Sequence, residues 1–191
     1  MNGITVCEYL WIAWYLVWVV WAMQGKKVQK RESVPSRASY SLIILVAVWL
    51  MFFARGLGGW WNGEILPDTA WAGWTGLAIT VLGFAITLWA RSILGGNWSG
   101  TVTIKVEHEL IRRGPYHWVR HPIYTGLIVA MAGTALALNE WRGLVAVLLV
   151  WIAFTIKRLK EEQFMRQTFG QQYVEYSQTT GAIFPRLLTM R

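Results

Sequence analysis

The sequence predicts an all-α integral membrane protein with about five transmembrane helices. Three observations lead there. Of the 191 residues, 55% are hydrophobic and only 15% are charged. The apolar residues gather into runs approaching the roughly 20 that a helix needs to cross a ~30 Å hydrocarbon core. The 18 Lys and Arg fall almost entirely into two of the intervals between those runs and into the C-terminal tail.

The first run covers residues 4–23 and is rich in Trp. It carries no Lys or Arg before it and no clear small-residue cleavage site, so it reads as a retained helix and not a signal peptide. The second covers 40–57, with Arg55 near its end, and the third covers 70–90. The fourth and fifth, 123–138 and 141–156, are separated by only Asn139 and Glu140. So short a connection predicts an antiparallel helical hairpin, either two full spans or a partly re-entrant pair. Gly76 and Gly83 lie seven apart, as do Gly126 and Gly133. That spacing puts each pair on one helix face, where small residues permit close packing, although glycine is also ordinary in membrane helices. The interval 91–121 and the tail 157–191 are too polar to span. In the first of these, residues 101–106 alternate weakly and read as extended, 95–100 reads as a flexible loop, and Gly114-Pro115 marks a turn. In the tail, KRLKEEQFMRQTFG reads as a continuation of the fifth helix, with Gly170 as its stop. The chain is expected to be one domain, 1–191, with three spans in 1–90 and the chemistry in 91–191.

Sixteen of the basic residues lie between the first and second runs, between the third and fourth, and after the fifth. The opposite side holds Arg55 and Arg142 with Glu8, Glu64, Asp68 and Glu140. By the positive-inside tendency the N-terminus is expected outside and the C-terminus in the cytoplasm. This asymmetry accounts for the net charge of +8 without nucleic acid, for which no reading motif is present. Cys7 is the sole cysteine, so no internal disulfide is possible, and its apolar surroundings favour packing over chemistry.

The densest polar chemistry lies in 108–126, HELIRRGPYHWVRHPIYTG, which holds all three histidines. His117 and His121 are four apart, but Trp118 stands where a zinc-protease motif has Glu. Pro122 and Gly114-Pro115 also argue against a regular helix across them. No metal site is expected. There is no nucleophile elbow, phosphate loop or dinucleotide fingerprint. Arg120, His121 and Tyr124 open the fourth run, and Lys157, Arg158, Glu161 and Glu162 leave the fifth. The hairpin brings the two clusters to one membrane surface. Interfacial anchoring and simple four-apart pairs, Lys157 with Glu161 and Arg158 with Glu162, account for them as readily as a site does.

These residues resemble the isoprenylcysteine carboxyl methyltransferase family and the related phospholipid methyltransferases. His-x-Leu, Gly-Pro-Tyr, Arg-His-Pro-x-Tyr, Glu-Glu and Phe-Gly-x-x-Tyr occur in order within 97–185. The resemblance implies a membrane methyltransferase using S-adenosylmethionine, with a cofactor pocket built from the cytoplasmic loop, the last helices and the C-terminal tail. It implies that His108, Glu109, Leu110 and Ile111 line that pocket, that Tyr116, His121, Pro122, Ile123 and Tyr124 complete one wall, and that Glu161 binds a polar part of the cofactor. Thr101 falls where the family can have a glutamine. Lys157 falls where the eukaryotic enzymes have a substrate-contacting arginine, and lysine lacks the bidentate fork of that residue.

The implied substrate is lipophilic and reaches the site from the bilayer, with membrane lipids around it and no obligate protein partner. A carboxylate acceptor is already anionic and needs no general base, and Arg120 is the expected group to orient it. An amine acceptor would have to lose a proton first. A phospholipid amine methyltransferase, a membrane reductase of the sterol type and a non-enzymatic protein binding anionic headgroups are the rival readings.

Overall fold

The computed structural model describes residues 2–23, 28–56, 58–67, 70–105 and 109–186. Six helices carry the architecture: α1 (Gly3–Ala22), α2 (Val34–Phe52), α3 (Ala70–Leu94), α4 (Pro122–Leu138), α5 (Trp141–Phe169) and α6 (Gln171–Thr179). The chain is not purely helical. A two-stranded antiparallel ribbon, β1 (Val28–Arg31) with β2 (Thr103–Lys105), pairs Arg31 with Thr103 and Lys30 with Ile104. The extended reading of 101–106 holds for β2, while residues 106–108 lie outside the described residues.

Helices α1, α2 and α3 are each long and apolar enough to cross a membrane. Helix α4 is shorter, at 17 residues. Helix α5 has 29 residues, which at ~1.5 Å per residue gives about 43 Å. Its apolar half is followed by a charged half from Lys157 onward, continuous to Phe169 as the sequence predicts. Gly170 stops it with a positive φ of 52°. Helix α6 follows at once, an element beyond those that the sequence predicts. The stretch 95–100 is more ordered than a loop, with a 3-10 turn at Gly95–Asn97.

The closest helix pairing is α3 with α4, and the glycines explain it. A Cβ on Gly76 would lie 2.4 Å from the Gly133 carbonyl oxygen, and one on Gly83 would lie 2.4 Å from the Ala130 nitrogen. The two seven-residue pairs therefore face each other in antiparallel register, backbone against backbone. Polar side chains reinforce the seam from α1. The Trp11 indole donates to Thr134 at 3.0 Å and the Trp14 indole to Thr87 at 2.8 Å. Within a bilayer such bonds contribute about 0.6–2 kcal/mol each. Cys7 is buried here, with its sulfur 3.6 Å from the Thr80 hydroxyl, in a packing role.

The hairpin between α4 and α5 turns on Asn139, which adopts the left-handed conformation at φ 56° and caps α4. Its amide exchanges bonds with Leu66 at 2.9 and 3.0 Å. One residue into α5, Arg142 is fully buried. Its Nη1 donates to the Leu50 and Met51 carbonyls at 2.8 and 2.9 Å, and its Nε donates to Glu140 at 2.5 Å. A guanidinium thus satisfies the last carbonyls of α2 and ties α2 to α5. At the same end Arg55 pairs with Glu8. Of the charges opposite the basic loops, Arg55 thus pairs with Glu8 and Arg142 with Glu140, while Asp68 lies outside the described residues.

Gly83→Leu is expected to separate α3 from α4. Overpacking of this kind costs about 1–3 kcal/mol, so the thermal melt in detergent should shift down by several degrees or more. Gly56→Ala, whose Cβ meets nothing within 4 Å, should leave the melt unchanged.

Candidate functional site

At the charged end of α5, four segments line a cavity with about 920 Å³ of atom-free space, part of it open to solvent. The walls come from 94–103, 109–124, the face of α5 from Lys157 to Met165, and Tyr173 and Tyr176 of α6. Local chemistry builds each wall. Pro122 starts α4 at its first helical position, where a missing N–H costs nothing. His121 stands immediately before it as the N-cap residue. Gly114 adopts φ 61° to begin the 3-10 turn at Gly114–His117, which buries Tyr116. The chain after α6 returns beneath this turn. Arg120 and His121 donate their backbone N–H groups to Gly181 and Ala182 at 2.9 and 3.0 Å, and the Thr125 hydroxyl donates to Ile183 at 2.6 Å.

The charged residues form one network. Arg120 donates Nε and Nη2 to Glu162 at 3.3 and 3.0 Å. Its Nη1 donates to the Ser177 carbonyl at 3.1 Å and to the Thr180 carbonyl. Four of its five N–H groups are thus spent on Glu162 and on the C-terminal carbonyls of α6. His121 lies between the two glutamates, with Nε2 3.2 Å from Glu162 and Nδ1 3.5 Å from Glu161. Its ring stacks on Tyr124 at 5.4 Å, and Tyr124 stacks on Phe154 at 4.6 Å. The Tyr124 hydroxyl donates to Glu161 at 2.7 Å. Lys157 does not pair with Glu161 as the four-apart spacing predicts. Its Nζ donates to the Gly100 carbonyl at 2.9 Å and sits 5.6 and 5.3 Å from the Tyr40 and Tyr124 ring centres. Arg158 and Glu162 do pair, at 3.6 Å.

Burial opposes charge at Glu161, Glu162 and His121, and there the partners outweigh it; at Lys157 burial prevails over the pull of Glu161 and Glu32 and lowers the ammonium below its ordinary value. Burial raises the Glu162 carboxyl, but His121 and Arg120 pull it down to about 2. Burial likewise raises Glu161, and His121, Lys157 and Tyr124 hold it below the ordinary carboxylate range. Desolvation lowers His121, yet the two glutamates lift it above its ordinary value.

The sequence-derived residues sort clearly. Thr101, Glu109, Leu110, Ile111, Tyr116, Arg120, His121, Ile123, Tyr124, Lys157 and Glu161 all line the cavity. Pro122 does not; it is buried and acts by starting α4. His108 lies outside the described residues. His117 is directed elsewhere, into a second surface cavity with Arg112 and Arg186, and meets Trp118 edge-on at 5.9 Å. No regular helix joins it to His121. Sequence reasoning missed Phe164 and Met165, although positions 157, 161, 164 and 165 share one helical face. It also missed Tyr173, the Tyr of the Phe-Gly-x-x-Tyr motif, and the buried Glu32.

Comparison with known proteins agrees with this geometry. A family model described as phospholipid methyltransferase matches residues 71–172. The chain is 31% identical over 172 residues to protein-S-isoprenylcysteine O-methyltransferase B of Arabidopsis thaliana, covering 86% of this chain and 82% of that one. It is 30% identical over 146 residues to the Homo sapiens protein-S-isoprenylcysteine O-methyltransferase, covering 75% of this chain and 50% of the other. A solved eukaryotic intramembrane isoprenylcysteine carboxyl methyltransferase shares the fold, with a TM-score of 0.58 at 24% identity over 81% of this chain and 54% of that chain. The chain therefore spans most of the plant relative and about half of the human one.

The network predicts a stability maximum bounded on both sides. The depressed Glu162 contributes stability above the ordinary carboxylate range, and this is lost as pH falls toward about 2. The raised His121 contributes fully below its ordinary value of 6.5, and this is lost as pH climbs through its higher folded value. Melting temperature against pH should fall on both flanks, and Glu162→Gln should flatten both.

Proposed function

The chain belongs to the isoprenylcysteine carboxyl methyltransferase branch of the phospholipid methyltransferase family, and from that membership we propose that it moves a methyl group from S-adenosylmethionine to the carboxylate of a lipophilic, isoprenylcysteine-type acceptor. The observation that carries the reading is the cavity itself. A water-accessible pocket stands at the end of apolar helices and brings two cations of the charged network, Lys157 and Arg120, to its lining.

The lining fits such a donor. Apolar walls from Leu110, Ile111 and Ile123 and the rings of Tyr116 and Tyr124 suit a flat heterocycle, and the Glu161 carboxylate suits a cationic or hydroxyl-bearing part. Bound there, S-adenosylmethionine supplies a methyl group already activated by its sulfonium sulfur. The residues of the chain then have three tasks. Lys157 retains two N–H groups after its bond to Gly100 and receives the acceptor carboxylate. Arg120 stands at the same region and ties α5 to α6, with two donors on Glu162 and two on the carbonyls of Ser177 and Thr180. The apolar wall excludes water, which would otherwise screen the approach of opposite charges.

A carboxylate acceptor held at Lys157 would take the methyl that the bound donor supplies, its oxygen forming the new bond to carbon as the donor's sulfur–carbon bond is given up, to leave a neutral ester and the demethylated donor. No proton moves, so no general base is required, which agrees with a site whose His121 is held between two glutamates.

We further infer that α4 and the apolar half of α5 complete five spans of a single domain. The basic end, with the site and the C-terminus, faces the cytoplasm, and the N-terminus lies outside. A reporter fused to the C-terminus is expected to be active only in the cytoplasm.

Labelled-methyl transfer into a membrane extract tests the activity. The product should release labelled methanol under mild base, as a methyl ester does. A base-stable label in phospholipid headgroups would instead assign an amine acceptor. Glu161→Gln should weaken binding of S-adenosylhomocysteine about tenfold, in line with the loss of a charged hydrogen-bond partner of ~1.5 kcal/mol. Lys157→Ala should raise the acceptor KM without changing that binding.

A further inference from the structure

Glu32 precedes α2 and is 8% exposed, a rare setting for a carboxylate. It is surrounded by donors. The Ser36 hydroxyl reaches Oε2 at 2.9 Å, the Val102 N–H reaches Oε1 at 3.1 Å, and the Tyr40 hydroxyl donates to the same oxygen. The Glu32 N–H in turn donates to the Val102 carbonyl at 3.0 Å. Backbone and side chain thus clamp one residue of the 99–103 segment from both sides. That segment is a wall of the catalytic cavity, and it presents the Gly100 carbonyl to Lys157. Tyr40, oriented by Glu32, lays its ring against Lys157 from the other side and also against Lys160 at 5.4 Å.

We propose that Glu32 is a positioning residue for acceptor recognition, fixing through Val102 and Tyr40 the carbonyl and the ring that hold the Lys157 ammonium at the cavity wall. The inference rests on the reading that Lys157 receives the acceptor carboxylate. Glu32 does not itself line the cavity. Its action is indirect, and its loss should appear in acceptor affinity and not in the bond-making step. Two buried donors, the Tyr40 hydroxyl and the Val102 N–H, would otherwise stand without an acceptor, and the wall would be free to shift. A lysine is a point charge on a flexible stem, so its direction must be imposed by its surroundings. The carbonyl of Gly100 and the two tyrosine rings impose it here, and Glu32 holds two of those three.

The test is a double-mutant cycle on the full chain in detergent or nanodiscs, with an S-prenylated N-acetylcysteine as acceptor and S-adenosylhomocysteine as donor analogue. Glu32→Ala should raise the acceptor KM about tenfold, with kcat and analogue affinity within about twofold of wild type. In the Lys157→Ala background the same change should add less than about twofold, because coupled residues are non-additive. Glu32→Gln keeps an acceptor oxygen for Val102 and Tyr40 and should restore KM to within about threefold. If Glu32→Ala does not fold, Tyr40→Phe removes one of the donors while keeping the ring, and should raise KM about threefold. An unchanged KM in Glu32→Ala, or equal effects in both backgrounds, overturns the role of Glu32 alone. An unchanged KM in Lys157→Ala overturns the assignment of the acceptor to Lys157, and this inference with it.

Discussion

The glycine seam between α3 and α4 is the constraint on which the site depends. Gly76 and Gly83 meet Gly133 and Gly126 so closely that any Cβ would collide with backbone. Lipid offers no hydrophobic drive between helices, so close packing and buried polar bonds must supply the association. Because the contact is backbone to backbone, it fixes the two helices in depth as well as in angle. The end of α3, leading into Leu94 and Trp98, is thereby set level with the start of α4 at His121 and Tyr124. Both ends line the cavity.

The hairpin transfers that register to α5. Asn139 supplies the left-handed residue that lets two helices join with one residue between them and the next N-cap. Arg142 locks the start of α5 to the last carbonyls of α2. Helix α5 is continuous from there to Phe169, so Lys157, Glu161 and Glu162 arrive at the depth of Arg120 and His121. A break or a slipped turn anywhere along α5 would separate these clusters.

Charge satisfaction then decides which groups remain available for chemistry. Arg120, His121, Glu161 and Glu162 are each costly to bury alone, and each is answered by the others. Arg120, the cation that sequence reasoning favours for orienting an acceptor, spends most of its donors linking Glu162 of α5 to the last carbonyls of α6. Lys157 spends one, on Gly100. The balance of roles between the two cations follows from that difference, and Glu32 enters the site only through the wall it holds.

Much of this was legible in the residues themselves. Runs of apolar side chains, the two-residue separation at Asn139 and Glu140, Gly170 as a stop and the paired glycine spacing all encode local or periodic preferences, which need no knowledge of distant neighbours. The motifs of 108–126 and 161–173 marked the right region because their order along the chain is itself specific. Other features depend on residues far apart in sequence. Nothing near Glu32 announces that Val102 will donate to it, nothing in the spacing of Lys157 and Glu161 says that each will prefer another partner, and α6, with nine mostly polar residues, is too short to declare its seat beneath Arg120. The residues alone specify a basic-ended bundle of membrane helices with a methyltransferase-like polar cluster. Which cation is spent and which is available is settled on folding, because hydrogen-bond capacity is allotted among groups that meet only in the folded chain.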